Sequence, residues 1–185
     1  MNKILKLTLI LFLVCAVTAG ILGFVYEITI DKITYQNQLK TENAYKAVLP
    51  EFSADSASDI SFDAAKIFNE FGVNISKISK CGEGYVVESS FSGAQGTITM
   101  AAGVKDEKCT GISIISHSET SGLGANAAST AEVGVNFRAQ FLGVGRDVKL
   151  AKKGGTIDAL AGATITSTAV TNATAASIAA VDYFG

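Results

Sequence analysis

Four short runs decide the fold: VNISKIS (Val73–Ser79), YVVESSF (Tyr85–Phe91), GTITMAAGV (Gly96–Val104) and GISIISH (Gly111–His117). Apolar, mostly β-branched residues recur in them at spacing two, and glycine or charged residues separate one run from the next, which is the pattern of half-buried antiparallel strands. Downstream, Ala127–Phe141 reads as a helix interrupted at Gly134, VKLAK (Val148–Lys152) as one more strand, and the Ala-rich run from Thr166 as a closing helix. Upstream, Asp63–Phe71 reads as a short helix and EFSADSASDISFD (Glu51–Asp63) as an exposed connection.

The N-terminal end is different in kind. From Leu7 to Tyr26 the chain reads LTLILFLVCAVTAGILGFVY without a charge. Twenty residues at about 1.5 Å rise span a hydrocarbon core of about 30 Å. A cleaved signal peptide has an apolar region of only about 7–15 residues, so a retained anchor is expected. Lys3 and Lys6 precede the run, while Glu27, Asp31 and Lys32 follow it, which places the N-terminus in the cytoplasm and the remainder outside. Asp31 to Leu49 then carries neither glycine nor proline, and predicts a helical stalk ended by Pro50. The expected fold class is α+β: a transmembrane anchor (1–30), a stalk helix and linker (31–62), and one domain of antiparallel sheet with flanking helices (63–185).

Composition removes several functions. The 15 basic residues are scattered and the formal net charge is −2, so no nucleic-acid surface is expected. Cys15, Cys81 and Cys109 form no C-x-x-C pair and no haem attachment site. His117 is the only histidine and cannot build a metal site alone; a loop hydrogen bond is its expected use. There is no nicotinamide-binding G-x-G-x-x-G. Cys81 and Cys109 are read as buried thiols, with a disulfide the less favoured alternative.

The stretch DALAGATITS (Asp158–Ser167) precedes the closing helix. Gly162 and Ala163 allow close backbone approach, Thr164 falls near the cap, and the amides of Ile165, Thr166 and Ser167 are expected to point outward at the positive end of the helix dipole. A phosphate is well held at such a place. Thr164 as a simple helix cap is the bland reading of Gly-Ala-Thr.

D-x-x-x-G-A-T closely resembles the flavinylation motif of the FMN-binding domain family, found in the G subunit of the Rnf complex and the C subunit of the sodium-pumping quinone reductase. HSETSGLG (His117–Gly124) resembles the H-x-E-T-P-G-L-G loop that precedes the motif in that family, and chain length and the single anchor are closer to the Rnf G subunit. Ala161 stands where Ser or Thr is usual, and Ser121 where Pro is usual. The resemblance implies FMN bound by a phosphoester to Thr164, with Asp158 shaping the attachment loop, Gly162, Ala163 and the amides of Ile165, Thr166 and Ser167 around the phosphate, and hydroxyl donors on Thr166 and Ser167. It implies further that Gly122 and Gly124 approach the flavin ring, that Leu123 packs on its face, and that Glu119 and Thr120 make polar contacts.

Thr164 has no evident base, so the resemblance implies a separate FMN transferase, using FAD and Mg²⁺ outside the cytoplasm. It also implies partners: the A, B, C, D and E subunits of the Rnf complex, especially the D subunit and the A/E membrane pair, with electrons relayed between a membrane iron–sulfur centre and the flavin of the D subunit. Three other roles remain open at this point: a carrier like the C subunit of the quinone reductase, a free-standing extracytoplasmic FMN carrier, and an anchored assembly or sensor module without flavin.

Overall fold

The computed structural model describes residues 3–184, which divide into two compact units, Met1–Lys40 and Thr41–Gly185. Helix α1 (Lys3–Val48) runs through the first unit and contributes its last two turns to the second. Its apolar portion is long enough to cross a membrane and none of it is buried in protein. The helix stops two residues before Pro50, whose ring disfavours helical backbone in the residue before it.

Within the second unit a five-stranded antiparallel sheet runs in sequence order: β1 (Ser58–Asp59), β2 (Asn74–Cys81), β3 (Gly84–Ser92), β4 (Thr97–Lys105) and β5 (Lys108–His117). The β4–β5 turn places Asp106 and Glu107 in left-handed backbone, the geometry a two-residue hairpin needs. Helix α2 (Ala64–Phe71) starts at Asp63, whose carboxylate accepts from the Ala65 amide at 3.0 Å. Helices α3 (Glu132–Ala139) and α4 (Thr164–Phe184) complete the unit.

The sheet has a core on each face. On one side Ile78, Val87, Phe91, Ile98, Met100 and Val104 pack with α2, α3 and α4. Helix α4 presents Ala173, Ala176 and Ala180 to this core, so small side chains let it lie close. Its buried hydroxyls on Thr171, Thr174 and Ser177 bond to carbonyls four residues back and leave no polar atom unpaired. On the other side Tyr45, Val48, Leu49 and Phe52 cover Cys81, Val86 and Ala101. Tyr45 donates to Glu88 at 2.6 Å, and Thr110 caps the Val48 carbonyl at 2.5 Å. Residues 41–62, expected as stalk and linker, thus include a large part of one core.

Three expected elements differ. The connection after Pro50 contains strand β1, held by backbone pairing to β2 and by an Asp59–Lys77 ion pair at 3.2 Å. VKLAK is not a strand: Leu150 makes one isolated parallel bridge to Ile157 and the chain turns at once into a 3₁₀ segment, Ala151–Lys153. Gly134 does not interrupt a helix but lies within α3, where the carbonyls of Ser129 and Asn126 occupy the space a side chain would need. The long helical run expected from Ala127 is instead a 3₁₀ segment, Gly124–Ala128, followed by α3.

Cys81 and Cys109 belong to opposite cores and are both free, so no disulfide links them. Burial pushes the Cys109 thiol up to about 11. A thiolate-directed alkylating reagent at pH 8 is therefore expected to leave Cys109 unmodified in the native protein and to modify it after denaturation. Rapid labelling of Cys109 in the folded chain would contradict this packing.

Candidate functional site

Helix α4 begins at Thr164, two residues after Gly162, whose φ of +71° turns the chain into the helix at little steric cost. As the first residues of a 21-residue helix, Thr164, Ile165 and Thr166 carry amides with no carbonyl one turn earlier to accept them. Ser167 does not share this freedom: its amide bonds the Ala163 carbonyl at 2.9 Å. Thr164 and Ile165 are exposed, Ile165 by 66%. The strongest acceptor candidate therefore stands at the surface, on the positive end of a long helix.

The loop before α4 is fixed by its neighbours. Asp158 is exposed, but its backbone is gripped by the Gln140 side chain: the Asp158 amide donates to Oε1 at 2.7 Å, and Nε2 donates to the Asp158 carbonyl at 3.3 Å. A cavity of about 220 Å³ beside this loop is lined by Asp158, Ala161, Gly162, Thr164, and Lys152 from the preceding turn. On the other flank of the helix start, Phe71, Val73, Phe91, Ile165 and Asn172 line a groove of about 310 Å³. That volume lies at the lower end of small-molecule pockets.

The second motif meets the first directly. Thr166 donates to Glu119 Oε2, and Leu123 lies over Gly162, where a side-chain carbon would come within 2.9 Å of it. Glu119 Oε1 accepts from the Gln95 amide at 3.0 Å, and the Glu119 amide donates to His117 Nδ1 at 3.2 Å. Leu123 is 43% exposed, Thr120 and Gly122 are exposed, and Gly124 is buried. Two segments 40 residues apart in sequence thus form one surface around Thr164.

Three residues have uses other than those expected. Glu119, expected as a polar contact to the flavin, is only 8% exposed, and both its oxygens are engaged within the protein. The Thr166 hydroxyl is spent on Glu119. The Ser167 hydroxyl is buried, accepting from the Leu160 amide at 3.0 Å and donating to the Ala163 carbonyl at 2.9 Å. Neither hydroxyl is left to bind phosphate. Gln95, Gln140 and Lys152 lie outside both motifs, so no sequence signal singles them out, and only folding brings them to the site.

Residues 93–179 match the FMN-binding domain family, and residues 1–48 match the RnfG N-terminal region. The chain is 33% identical to the G subunit of the ion-translocating oxidoreductase complex of Methanosarcina acetivorans, over 98% of its own length and 95% of that protein's. The chain belongs to the RnfG family. It is also 34% identical to the G subunit of the Na⁺-translocating ferredoxin:NAD⁺ oxidoreductase complex of Acetobacterium woodii, covering 91% of this chain and 87% of that one. Clostridium ljungdahlii has a further relative, the G subunit of a proton-translocating ferredoxin:NAD⁺ oxidoreductase complex, 33% identical over 92% of this chain and 87% of its own length.

Both motifs fall inside the FMN-binding domain of this RnfG family member, and the residues around Thr164 fit the group that the domain's name implies. An exposed threonine and the unbonded amides of Thr164 and Ile165 stand at the start of the helix, Lys152 lines the same cavity as Thr164, and a second groove lies on the other flank, whereas the Thr166 amide belongs to a fully buried residue. Among the described residues no cluster could hold a metal ion.

Glu119 also sets a pH dependence. Burial pushes its carboxyl up, but bonds from the Gln95 amide, the Thr166 hydroxyl and the amides of Ala94 and Gly96 outweigh that and hold it below the ordinary value of 4.5. A carboxyl depressed on folding stabilises the protein above its unfolded value, and that contribution is lost as pH falls through the folded value. Thermal midpoints should therefore fall as pH drops below about 4.5, and less steeply in Glu119→Gln. Parallel profiles for the two proteins would refute the ionised, bonded state of this residue.

Proposed function

We propose that this chain is the electron-transfer subunit of a membrane-bound, ion-translocating ferredoxin:NAD⁺ oxidoreductase, and that it carries FMN through a phosphoester on Thr164. The observation that supports this most is the exposed Thr164 hydroxyl, set at the first position of α4 within a surface built from both motifs. When bound, the flavin supplies one- and two-electron chemistry that no side chain here provides. The amides of Thr164 and Ile165 hold the phosphate, Lys152 adds a positive charge beside it, and Leu123 and Ile165 offer apolar surface to the ring.

Attachment needs a second protein. The hydrogen bonds at the start of α4 involve Thr166, Ser167 and Thr168, and among the described residues none engages the Thr164 hydroxyl. An unassisted threonine is a weak nucleophile. Thr164 Oγ1 forms its bond to the phosphorus of the FMN half of FAD while the pyrophosphate link breaks and AMP leaves. The hydroxyl proton passes to a base of the FMN transferase.

The basic residues Lys3 and Lys6 before the apolar run support an orientation with the N-terminus in the cytoplasm and the FMN domain outside. A covalent bond there prevents loss of the cofactor into a compartment without FMN. Partners are the remaining subunits of the complex, with the flavin-bearing D subunit and the A/E membrane pair nearest in the relay. Denaturing-gel fluorescence of the chain, produced with and without an FMN transferase, tests the attachment. A band that fluoresces only with the transferase is expected; a dark band beside a labelled control protein would exclude a covalent flavin.

A further inference from the structure

Glu119 is placed to do more than fill a core. Its carboxylate joins two segments, the β3–β4 turn through the Gln95 amide and the first turn of α4 through Thr166, while its backbone amide donates to His117 Nδ1 within its own loop. The surroundings are shaped to admit it. A side-chain carbon on Gly93 would collide with Glu119 Oε1, and one on Gly124 would collide with Oε2 and come within 2.6 Å of Thr166 Oγ1. Glycine at both positions is accounted for by one carboxylate.

Thr166 is two residues beyond Thr164, on the same helical turn. A bond that holds the Thr166 side chain restrains the backbone of that turn, and with it the direction of the Thr164 Cα–Cβ bond and of the neighbouring amides. A buried carboxylate bonded by amide and hydroxyl donors is among the strongest neutral-to-charged contacts available, because its partners have no water to replace it.

We propose that Glu119 is the positioning residue for flavin acceptance: by holding Thr166 it presents Thr164 in the conformation that a transferase acts on, without itself touching the flavin. This rests on the assignment of Thr164 as acceptor. It also explains why the two motifs occur together, since one carries the anchor and the other the residue it orients.

The test is a time course of FMN transfer onto full-length, flavin-free chain by an FMN transferase with FAD and Mg²⁺, read as fluorescence on denaturing gels. Wild type, Glu119→Gln, Thr166→Val and the double variant are compared, with thermal midpoints, and with Ile67→Val as a core change remote from the site. Each single variant should slow transfer by about tenfold, and the double should be no slower than the slower single, because both act through one contact. Exchange of the Ser167 amide, which closes the first turn of α4 on the Ala163 carbonyl, should accelerate in Glu119→Gln and not in Ile67→Val. Transfer at the wild-type rate in both single variants, additive losses in the double, or slowing by Ile67→Val in proportion to its midpoint would each overturn the proposal. Failure of wild type itself to be labelled would instead remove the assignment of Thr164, a distinct result. Thr166→Val withdraws one donor from Glu119 Oε2 and leaves Oε1 bonded to the Gln95 amide, so the proposal stays testable even if Glu119→Gln does not fold.

Discussion

Replacing Thr164 by valine is expected to remove essentially all covalent flavin while leaving the fold intact. The side chain is exposed and its hydroxyl makes no hydrogen bond among the described residues, so the change should shift stability by no more than about 0.5 kcal/mol. Valine keeps the β-branched shape and loses only the nucleophile. Co-produced with the transferase, the variant should give a dark band on a denaturing gel and an unfolding midpoint within a degree or two of wild type. Thr164→Ser retains an acceptor oxygen and should be labelled measurably. Fluorescence surviving in Thr164→Val would mean that another hydroxyl of this threonine-rich segment carries the flavin.

The second large effect concerns the boundary of the FMN domain. A chain beginning at Thr41 should fold, whereas one beginning at Asp63 should not. The shorter chain lacks Tyr45, Val48, Leu49 and Phe52, all nearly inaccessible to solvent, and uncovers Val86, Ala101 and Cys81 on the sheet. At about 1.5–3 kcal/mol for each large side chain, the loss is on the order of 6–12 kcal/mol, comparable with the entire stability of a typical domain, about 5–15 kcal/mol. Edge strand β1 goes with it. Near-ultraviolet circular dichroism of the two purified fragments distinguishes the cases: a native-like spectrum from the fragment beginning at Asp63 would show that the second core is dispensable.

That second core explains what sequence reading can and cannot reach here. Strands β2 to β5 were legible because short apolar runs around Ile78, Val87, Ile98 and Ile112 are cut off from one another by glycine or charged residues, a local pattern that survives even where both faces are covered. Tyr45 and Val48 gave no such sign. They lie on a helix whose outer turns carry similar residues in the open, and only the docking of that helix on the sheet tells the two kinds apart. Strand β1 consists of two exposed polar residues held by backbone pairing, so it leaves no apolar period to read. The run VKLAK alternates as a strand does, yet Gly154 and Gly155 turn the chain before a partner strand can form.

The site divides in the same way. The helix start near Thr164 and the turn at Gly162 before it were legible because their signals are local: a threonine ahead of an Ala-rich run, and a glycine where the chain reverses. The use of Glu119 was not legible. Its expected use was a polar contact to the flavin, and its burial follows from contact with Gln95 and Thr166, 24 and 47 residues away. The same holds for Gln140, which grips the Asp158 backbone from the end of α3.

The central claim is a single bond, and peptide mapping reads it directly. No lysine or arginine lies between Lys153 and Gly185, so trypsin leaves residues 154–185 together on one peptide. Isolated from cells that contain the transferase and fragmented by tandem mass spectrometry, that peptide should carry the mass of one FMN less one water, on Thr164. An unmodified peptide in fluorescent protein, or the added mass on any other residue, would contradict the account.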